Sequence, residues 1–535
     1  MRQGRLLVAN NISLPVHASV LEAFSVARGK FKRAGVLAKE QEMFVYRRSI
    51  DARDKKDIKF VYSVAFFSNA IYDKAHLLKH GISAVGNYSP EFVISGEKQI
   101  HPIVVVGSGP AGLFASLILA ENGYKVTLLE RGGSIDERKR IVDEFKHTRK
   151  LDENTNIQFG AGGAGTFSDG KLVTRINDSI SSYILSRFVE FGAPREIEYL
   201  AKPHIGTDVL SVVIDRMIDR LITLGSTVLF NTKFIDFVDN NGKVTGVKTS
   251  SGDISCDALV LAIGHSARDT QHMLLSHNLI IEAKDFSVGL RIEHPKSVID
   301  RGLYGELAGD PVLPSGEYNL SYNTKVRGVY TFCMCPGGVV VPATSELGGV
   351  VVNGMSYHSR DGKNSNSAIC CSVFRSDYGS TPEKAIDFQR SIERAAFEAG
   401  GNNYNAPIVT VGDFLRGEAK AEPYEVFPTY FDGNGVTVCN PDRYLPSFVA
   451  EGIRGAILNF NNKISGFSMP GAVLTGPETR TSSPIRIVRD NDTRTALDFI
   501  NLYPCGEGAG YAGGITSAAI DGIRTAMALM KTIKP

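Results

Sequence analysis

The segment that most constrains this chain is Ile103 to Gly112, in which four aliphatic residues run straight into Gly107-Ser108-Gly109-Pro110-Ala111-Gly112. The aliphatics read as a buried strand, and PAGLFASLILAENG reads as a helix ending at Gly123. A bare G-x-G-x-x-G carries little weight in a chain with 54 glycines. Placed between such a strand and such a helix, it is the opening of a dinucleotide-binding βαβ unit. Gly107 permits the tight turn, Gly109 lets the backbone approach a pyrophosphate, and Gly112 lets helix and strand close together. The helix start at Pro110 and Ala111 offers free N–H groups and a partial positive charge to the phosphates. KVTLLE then supplies a second strand. At its end Glu130, followed by Arg131, stands where a carboxylate accepts hydrogen bonds from the adenosine ribose. An acid there repels a 2′-phosphate, which excludes NADP.

A chain of 535 residues exceeds one ordinary core, so two to four domains are expected. Four segments emerge. Residues 1–97 show the order β-α-β-β-α, from RLLVANNISL, HASVLEAFSVARGKF, MFVYRRSI, DIKFVYSVAFF and YDKAHLLKHGI, which suggests a small ferredoxin-like α/β domain. A linker, NYSPEFVISGEKQIHP, follows. Residues 98–270 carry the parallel α/β pattern of the nucleotide domain. It includes the amphipathic helix TDVLSVVIDRMIDRLITLG, the extended run STVLFNTKFIDFV and the strands KVTGVKTS and DALVLAIG. Residues 271–480 are mixed, with short strands and glycine turns, and read as an inserted substrate or cap domain. Residues 481–535 return to strand-then-helix and complete the nucleotide domain. The fold class is therefore α/β: a Rossmann-like βαβ domain, a long mixed α+β insert and a small N-terminal domain.

The net charge of +2 gives no global field for nucleic acid or an anionic membrane. The run Arg138-Lys139-Arg140 reads as a solvated face. Seven cysteines without framework spacing point to a reducing compartment, and no cluster has metal-ligand spacing. Ile103 to Ala120 is uncharged and long enough to approach a membrane span, but its glycines suit a turn instead. With no signal-peptide pattern at the N-terminus, a cytoplasmic protein is expected.

The C-terminal run Leu502 to Ala519, LYPCGEGAGYAGGITSAA, decides between FAD and NAD. It resembles the strand, acid and glycine-rich helix start that close the FAD site in flavoproteins of the glutathione-reductase superfamily. The resemblance implies Gly506 and Glu507 at the ribityl chain, and Gly513, Gly514, Ile515 and Thr516 under the pyrimidine end of the flavin. Glu stands where Asp is commoner. Leu259 to His265 resembles the superfamily's second strand-turn element, with Gly264 at the cofactor. Thr232 to Phe234 falls where the resemblance puts a backbone contact to adenine. Together these imply FAD as cofactor.

From about residue 40 onward the chain resembles the FAD-dependent dehydrogenases, also called NAD(FAD)-utilising dehydrogenases. The residues that carry this are Arg47 to Arg53, Phe159 to Leu172 (FGAGGAGTFSDGKL), Lys202 to Asp208 (KPHIGTD), Cys333 to Gly338 (CMCPGG), Asn353 to Ser356 and Gly506 to Gly510. Gly162, Gly163, Ala164, Gly165 and Ser168 look like a flexible loop wrapping pyrophosphate and flavin ring, flanked by Phe167 and an acid-lysine pair, Asp169 and Lys171. The family name describes a cofactor rather than a substrate.

A flavin needs orientation, water exclusion and a proton donor or acceptor from the protein. His204, His358 and Arg360 are the catalytic candidates, with Arg291 and His294 as further acid/base or anion-binding groups. His204 precedes an expected helix cap at Thr207 or Asp208. Cys333 and Cys335 would share one face of a regular strand, where a disulfide would be strained. Only one fingerprint is present, so the electron donor stays open. The first reading is an FAD-dependent oxidoreductase acting on a small molecule between nucleotide domain and insert. The second makes the flavin structural or redox-sensing, with the N-terminal module binding a protein or RNA through Arg47, Arg48, Arg53, Lys55, Lys56 and Lys59 among its aromatics; nucleic acid is the less expected partner. A flavin monooxygenase is a third reading.

Overall fold

The computed structural model describes residues 5–85, 101–173, 180–277, 279–420, 422–423 and 425–533. The expected linker falls almost wholly outside the described residues. No helix among those described is long and apolar enough to cross a membrane.

The first 85 residues form a four-stranded sheet in the order Phe44–Asp51, Lys59–Ser68, Arg5–Pro15, Ile82–Val85, with every neighbouring pair antiparallel. The last strand was not part of the sequence expectation. The helix Val20–Arg33 starts at a capping box between Ser19 and Glu22 and buries Ala23, Ala27 and Phe31 against the sheet. This module is docked on the rest of the chain. The Arg48 N–H donates to the Tyr199 carbonyl at 2.7 Å, and the Ala201 N–H to the Arg48 carbonyl at 2.9 Å. The Arg48 guanidinium also covers the rings of Phe60 and Tyr199. Phe60 and Tyr62 face its core. The basic hairpin therefore spends one of its arginines and two of its aromatics inside the molecule.

The nucleotide domain is a five-stranded parallel sheet ordered Leu502–Pro504, Ala258–Leu261, Pro102–Val106, Lys125–Leu129, Thr227–Leu229. Its outer strand arrives from nearly the end of the chain. The helix Pro110–Glu121 is apolar all round because it is covered all round, by the final helix Ile515–Thr532 and by Thr207–Thr223. STVLFNTKFIDFV is two strands rather than one. Asn231 adopts a φ of 52°, and the chain leaves the parallel sheet to begin the antiparallel meander Phe234–Asn240, Lys243–Thr249, Gly252–Ser255.

Between the strand at Ala258–Leu261 and the one at Leu502–Pro504 lies a seven-stranded sheet. Its centre is Phe286–Pro295, paired with Asn364–Val373 and Val473–Glu478. These central strands carry polar residues inward, and several of them pair with one another. Arg291 makes a two-pronged pair with Glu478 at 2.6 and 2.8 Å and donates to Asn366 at 2.7 Å.

Candidate functional site

Two of the three fingerprint glycines, Gly107 and Gly112, are required by the protein itself; a Cβ on Gly109 would meet only Gly163 at 3.9 Å. A Cβ on Gly107 would lie 2.3 Å from the Ala262 carbonyl oxygen, and one on Gly112 only 1.9 Å from that of Gly107. Gly107 also has a φ of 97°, and its N–H donates to the Leu129 carbonyl at 2.7 Å. The tight turn and the helix-strand contact are thus steric facts. The buried Glu130 carboxylate accepts four hydrogen bonds: from the Ser108 N–H at 3.0 Å, the Ser108 hydroxyl at 2.6 Å, and the Gly132 and Gly160 N–H groups, each at 3.0 Å. It ties three loops together at the edge of the sheet. Arg131 covers the Phe159 ring and pairs with Asp269 at 2.7 Å.

Facing the fingerprint is the loop at 156–170. Arg138 organises it. Its guanidinium is fully buried and donates at 2.7–2.8 Å to four carbonyls, those of Asn156, Ile157, Ala161 and Gly163, and at 3.4 Å to that of Gly160. It also lies over the Phe167 ring. Burial pushes this guanidinium down to about 9. The expectation of a solvated face at Arg138 is therefore corrected. A helical arginine reaches a point where four backbone oxygens converge. The acid-lysine pair is corrected too: Asp169 pairs with Arg360, and Lys171 with Glu317 at 2.7 Å.

One cavity of about 1130 Å³ runs from the fingerprint to the insert. Gly107, Gly109, Pro110 and Ala111 line one end with Glu130 and Arg131; Phe234 and Gly264 lie along it. Gly163, Ala164, Gly165 and Ser168 form the opposing lip. Glu507, Gly513, Gly514, Ile515 and Thr516 line the far end. Gly112, Gly162 and Gly506 stand behind this surface. An added Cβ on Gly162 would strike Thr166 and Ile214, and one on Gly506 would strike Ala111. From the insert come Glu317 to Asn319, Tyr330 to Met334, Asn353, and Arg480 with Thr481. Lys284 and Arg480 had no signal in the sequence, since neither belongs to a recognisable pattern.

The far end is built differently from the fingerprint. A Cβ on Gly264, Gly513 or Gly514 would meet no protein atom within 4 Å. The helix Ile515–Thr532 opens there after Gly514 with no side-chain cap, so its first N–H groups face the cavity. The Glu507 carboxyl has no hydrogen-bond partner among the described residues. Burial, with Cys333 adding to it, pushes its carboxyl up to about 7 against the pull of Lys284. Lys284 itself donates to the Gly510 carbonyl at 3.1 Å. Beneath, Asp521 accepts from the Gly506 N–H at 2.8 Å and pairs with Arg489 and Arg494 at 2.6 and 2.7 Å. An open glycine cradle, free helix N–H groups and an unpartnered acid fit a flavin with its ribityl chain.

The three catalytic candidates sit beside this cavity, not in its wall. His204 and His358 stack with ring centroids 5.4 Å apart. Burial, followed by the Arg360 charge, pushes His204 below its ordinary value. His358 approaches the Ile205 carbonyl through Nδ1 at 2.9 Å, and its N–H donates to Asp208 at 2.8 Å. Asp208 thus serves a neighbouring loop, and the helix cap is Gly206 rather than Thr207 or Asp208. Arg360 is buried on Asp169. His294 is also buried, with Nε2 at 2.7 Å from the Phe467 carbonyl and its ring pushed down to about 4 by desolvation. His265, by contrast, lines the cavity, and burial with Arg480 and Arg268 nearby drives it down to about 3, so it is neutral.

A family model described as "FAD-dependent protein, C-terminal domain-like" matches residues 285–481. One described as "Pyridine nucleotide-disulphide oxidoreductase" matches residues 101–273. An uncharacterised protein of Clostridium beijerinckii is 43% identical over 530 residues, 97% of each chain. The digeranylgeranylglycerophospholipid reductase of Methanocaldococcus jannaschii is 28% identical over 154 residues, 27% of this chain and 39% of that one. Among solved structures, a glycerol-3-phosphate dehydrogenase of Bacillus halodurans complexed with FAD overlaps 82% of this chain and 65% of its own. It shares 12% identity at a TM-score of 0.37, too loose a likeness to carry an argument.

Proposed function

The chain belongs to a family of FAD-dependent oxidoreductases, and from that premise we propose that it oxidises or reduces a small molecule held between the nucleotide domain and the inserted sheet. The observation that carries this reading is the single cavity shared by both. At about 1130 Å³ it exceeds the roughly 300–1,000 Å³ usual for one drug-sized ligand. The fingerprint turn and the loop pinned by Arg138 would hold the pyrophosphate. Of the four donors on Glu130, the Ser108 hydroxyl alone can rotate away and leave an acceptor for a ribose hydroxyl. Glu507, in either protonation state, would gain from a ribityl hydroxyl the partner it lacks. The flavin would supply two-electron chemistry.

The insert's share of the wall presents amides and hydroxyls, from Asn319, Asn323, Asn353 and Thr481, and these would orient a polar substrate. Glu507, poised near neutrality, is the group best matched to carry a proton. His204, His358 and Arg360 are read as positioning residues that hold Asp169 and its loop. The order and direction of the four N-terminal strands support the ferredoxin-like reading of that module, and its docking through Arg48 favours a structural role over partner capture.

The test is direct. The purified chain should carry FAD, released on denaturation and identified by mass. Its absorbance should bleach under an anaerobic reductant and return with a specific acceptor. A chain that neither carries nor takes up FAD would sink the proposal.

A further inference from the structure

Of the seven cysteines, six are buried. The exception is Cys333, which lies in the cavity wall. Its backbone adopts a φ of 46°, a region non-glycine residues enter at a cost and mostly where surrounding structure imposes it. The strand Gly328–Cys335 loses register with Asn364–Val373 between Phe332 and Cys335. This matters for reach. In a regular strand two alternate residues stand about 6.6 Å apart, whereas the Cβ atoms of a disulfide need about 3.5–4.5 Å. The left-handed residue and the bulge bend the chain within the pair itself. The expectation of a regular strand with two parallel thiols is thereby corrected. The Cys335 thiol folds back and donates to the Cys333 carbonyl at 3.2 Å.

The surroundings favour a thiolate at one of the two sulfurs. Arg291 donates to the Cys333 carbonyl at 3.1 Å. The neighbouring Cys335 thiol, helped by the charges of Arg291 and Lys171, pulls Cys333 below the usual thiol value in spite of burial and of Glu478. Cys335 is pushed well above its ordinary value. A cavity-facing sulfur with thiolate character beside a protonated partner is the asymmetry that thiol–disulfide chemistry uses. Cys333 also lies close enough to Glu507 for the two charges to oppose each other, which puts the pair at the end of the cavity read as the flavin's.

We propose that Cys333 and Cys335 are a redox-active dithiol that exchanges an electron pair with the flavin. The inference rests on the FAD reading above. In the oxidising direction the Cys333–Cys335 sulfur bond forms and two thiol protons are lost. Two electrons and two protons pass to the oxidised isoalloxazine ring. In the reverse direction the reduced ring returns them and the sulfur bond breaks. No further reactant is needed for the exchange itself.

The experiment uses the flavin-loaded chain. After air oxidation, iodoacetamide labelling under denaturing conditions and intact mass should show two thiols protected, and labelling after dithionite reduction should show none. Anaerobic dithionite titration should consume twice the reductant that Cys333→Ser or Cys335→Ser consumes. Cys335→Ser should further show a long-wavelength absorbance band that grows as pH rises, from the remaining thiolate against oxidised flavin, and the Cys333→Ser variant should lack it. A flavin-loaded, oxidised wild type with every thiol labelled overturns this proposal and leaves the FAD reading standing. A chain without flavin overturns both. The mass measurement on the wild type decides even where a variant does not fold.

Discussion

The two ends of the cavity use glycine for opposite reasons. At the fingerprint, a side chain on Gly107 or Gly112 would collide with the protein's own backbone. At the C-terminal cradle, a side chain on Gly513 or Gly514 would collide with nothing. The first end is part of the fold, and Gly107 and Gly112 would be needed even if no cofactor bound. The second is open: Gly514 needs glycine for its φ of 129°, whereas Gly513 has room that a bound flavin would fill. Stability and cofactor binding should therefore separate along this axis.

Four substitutions probe that separation. Arg138→Met should have the largest effect on stability. Several buried carbonyls lose their donor at about 1–3 kcal/mol each, so a loss on the order of 4 kcal/mol is expected in denaturant unfolding, with flavin lost alongside. Wild-type stability in this variant would mean that Arg138 does not hold the loop. Gly112→Ala should cost about 1–3 kcal/mol by overpacking, read as a lower unfolding midpoint in the cofactor-free protein.

Glu507→Gln has a smaller and pH-dependent effect. The folded carboxyl lies near 7, above its unfolded value of 4.5, so the folded state binds the extra proton. The stability linked to it is complete below about pH 4.5 and is lost as pH rises through about 7. The glutamine variant should flatten that part of the pH–stability curve of the cofactor-free protein. An unchanged slope between those limits would show that Glu507 titrates normally. Gly513→Ala should change stability least, by less than about 0.5 kcal/mol, yet weaken FAD binding in a fluorescence titration. Equal losses in stability at Gly513 and Gly112 would erase the contrast.

Much of the site was legible in the residues because its constraints are local. A strand, a glycine turn and a helix follow one another from Ile103 to Glu121, and each is set by periodicity and by sterics a few residues away. The same holds for Leu502 to Thr516. The insert was opaque. Its sheet draws strands from residues 286 to 478, and which side chains from it reach the cavity depends on a register that no short window contains. His204, His358 and Arg360 were attractive as polar residues in loops. They point instead at Asp169, Ile205 and one another.

By itself, then, the order of residues determined that this chain would build a dinucleotide turn at Gly107 to Gly112 and a glycine-rich helix start at Gly513 to Thr516, since backbone sterics and hydrophobic period act over a few residues. Only the tertiary structure decided that Arg138 is buried under four carbonyls, that Glu507 lacks a partner, and that Cys333 faces the cavity with Cys335 folded against it. Burial, charge and reach are properties of neighbours distant in the chain, and they exist only once the chain has closed on itself.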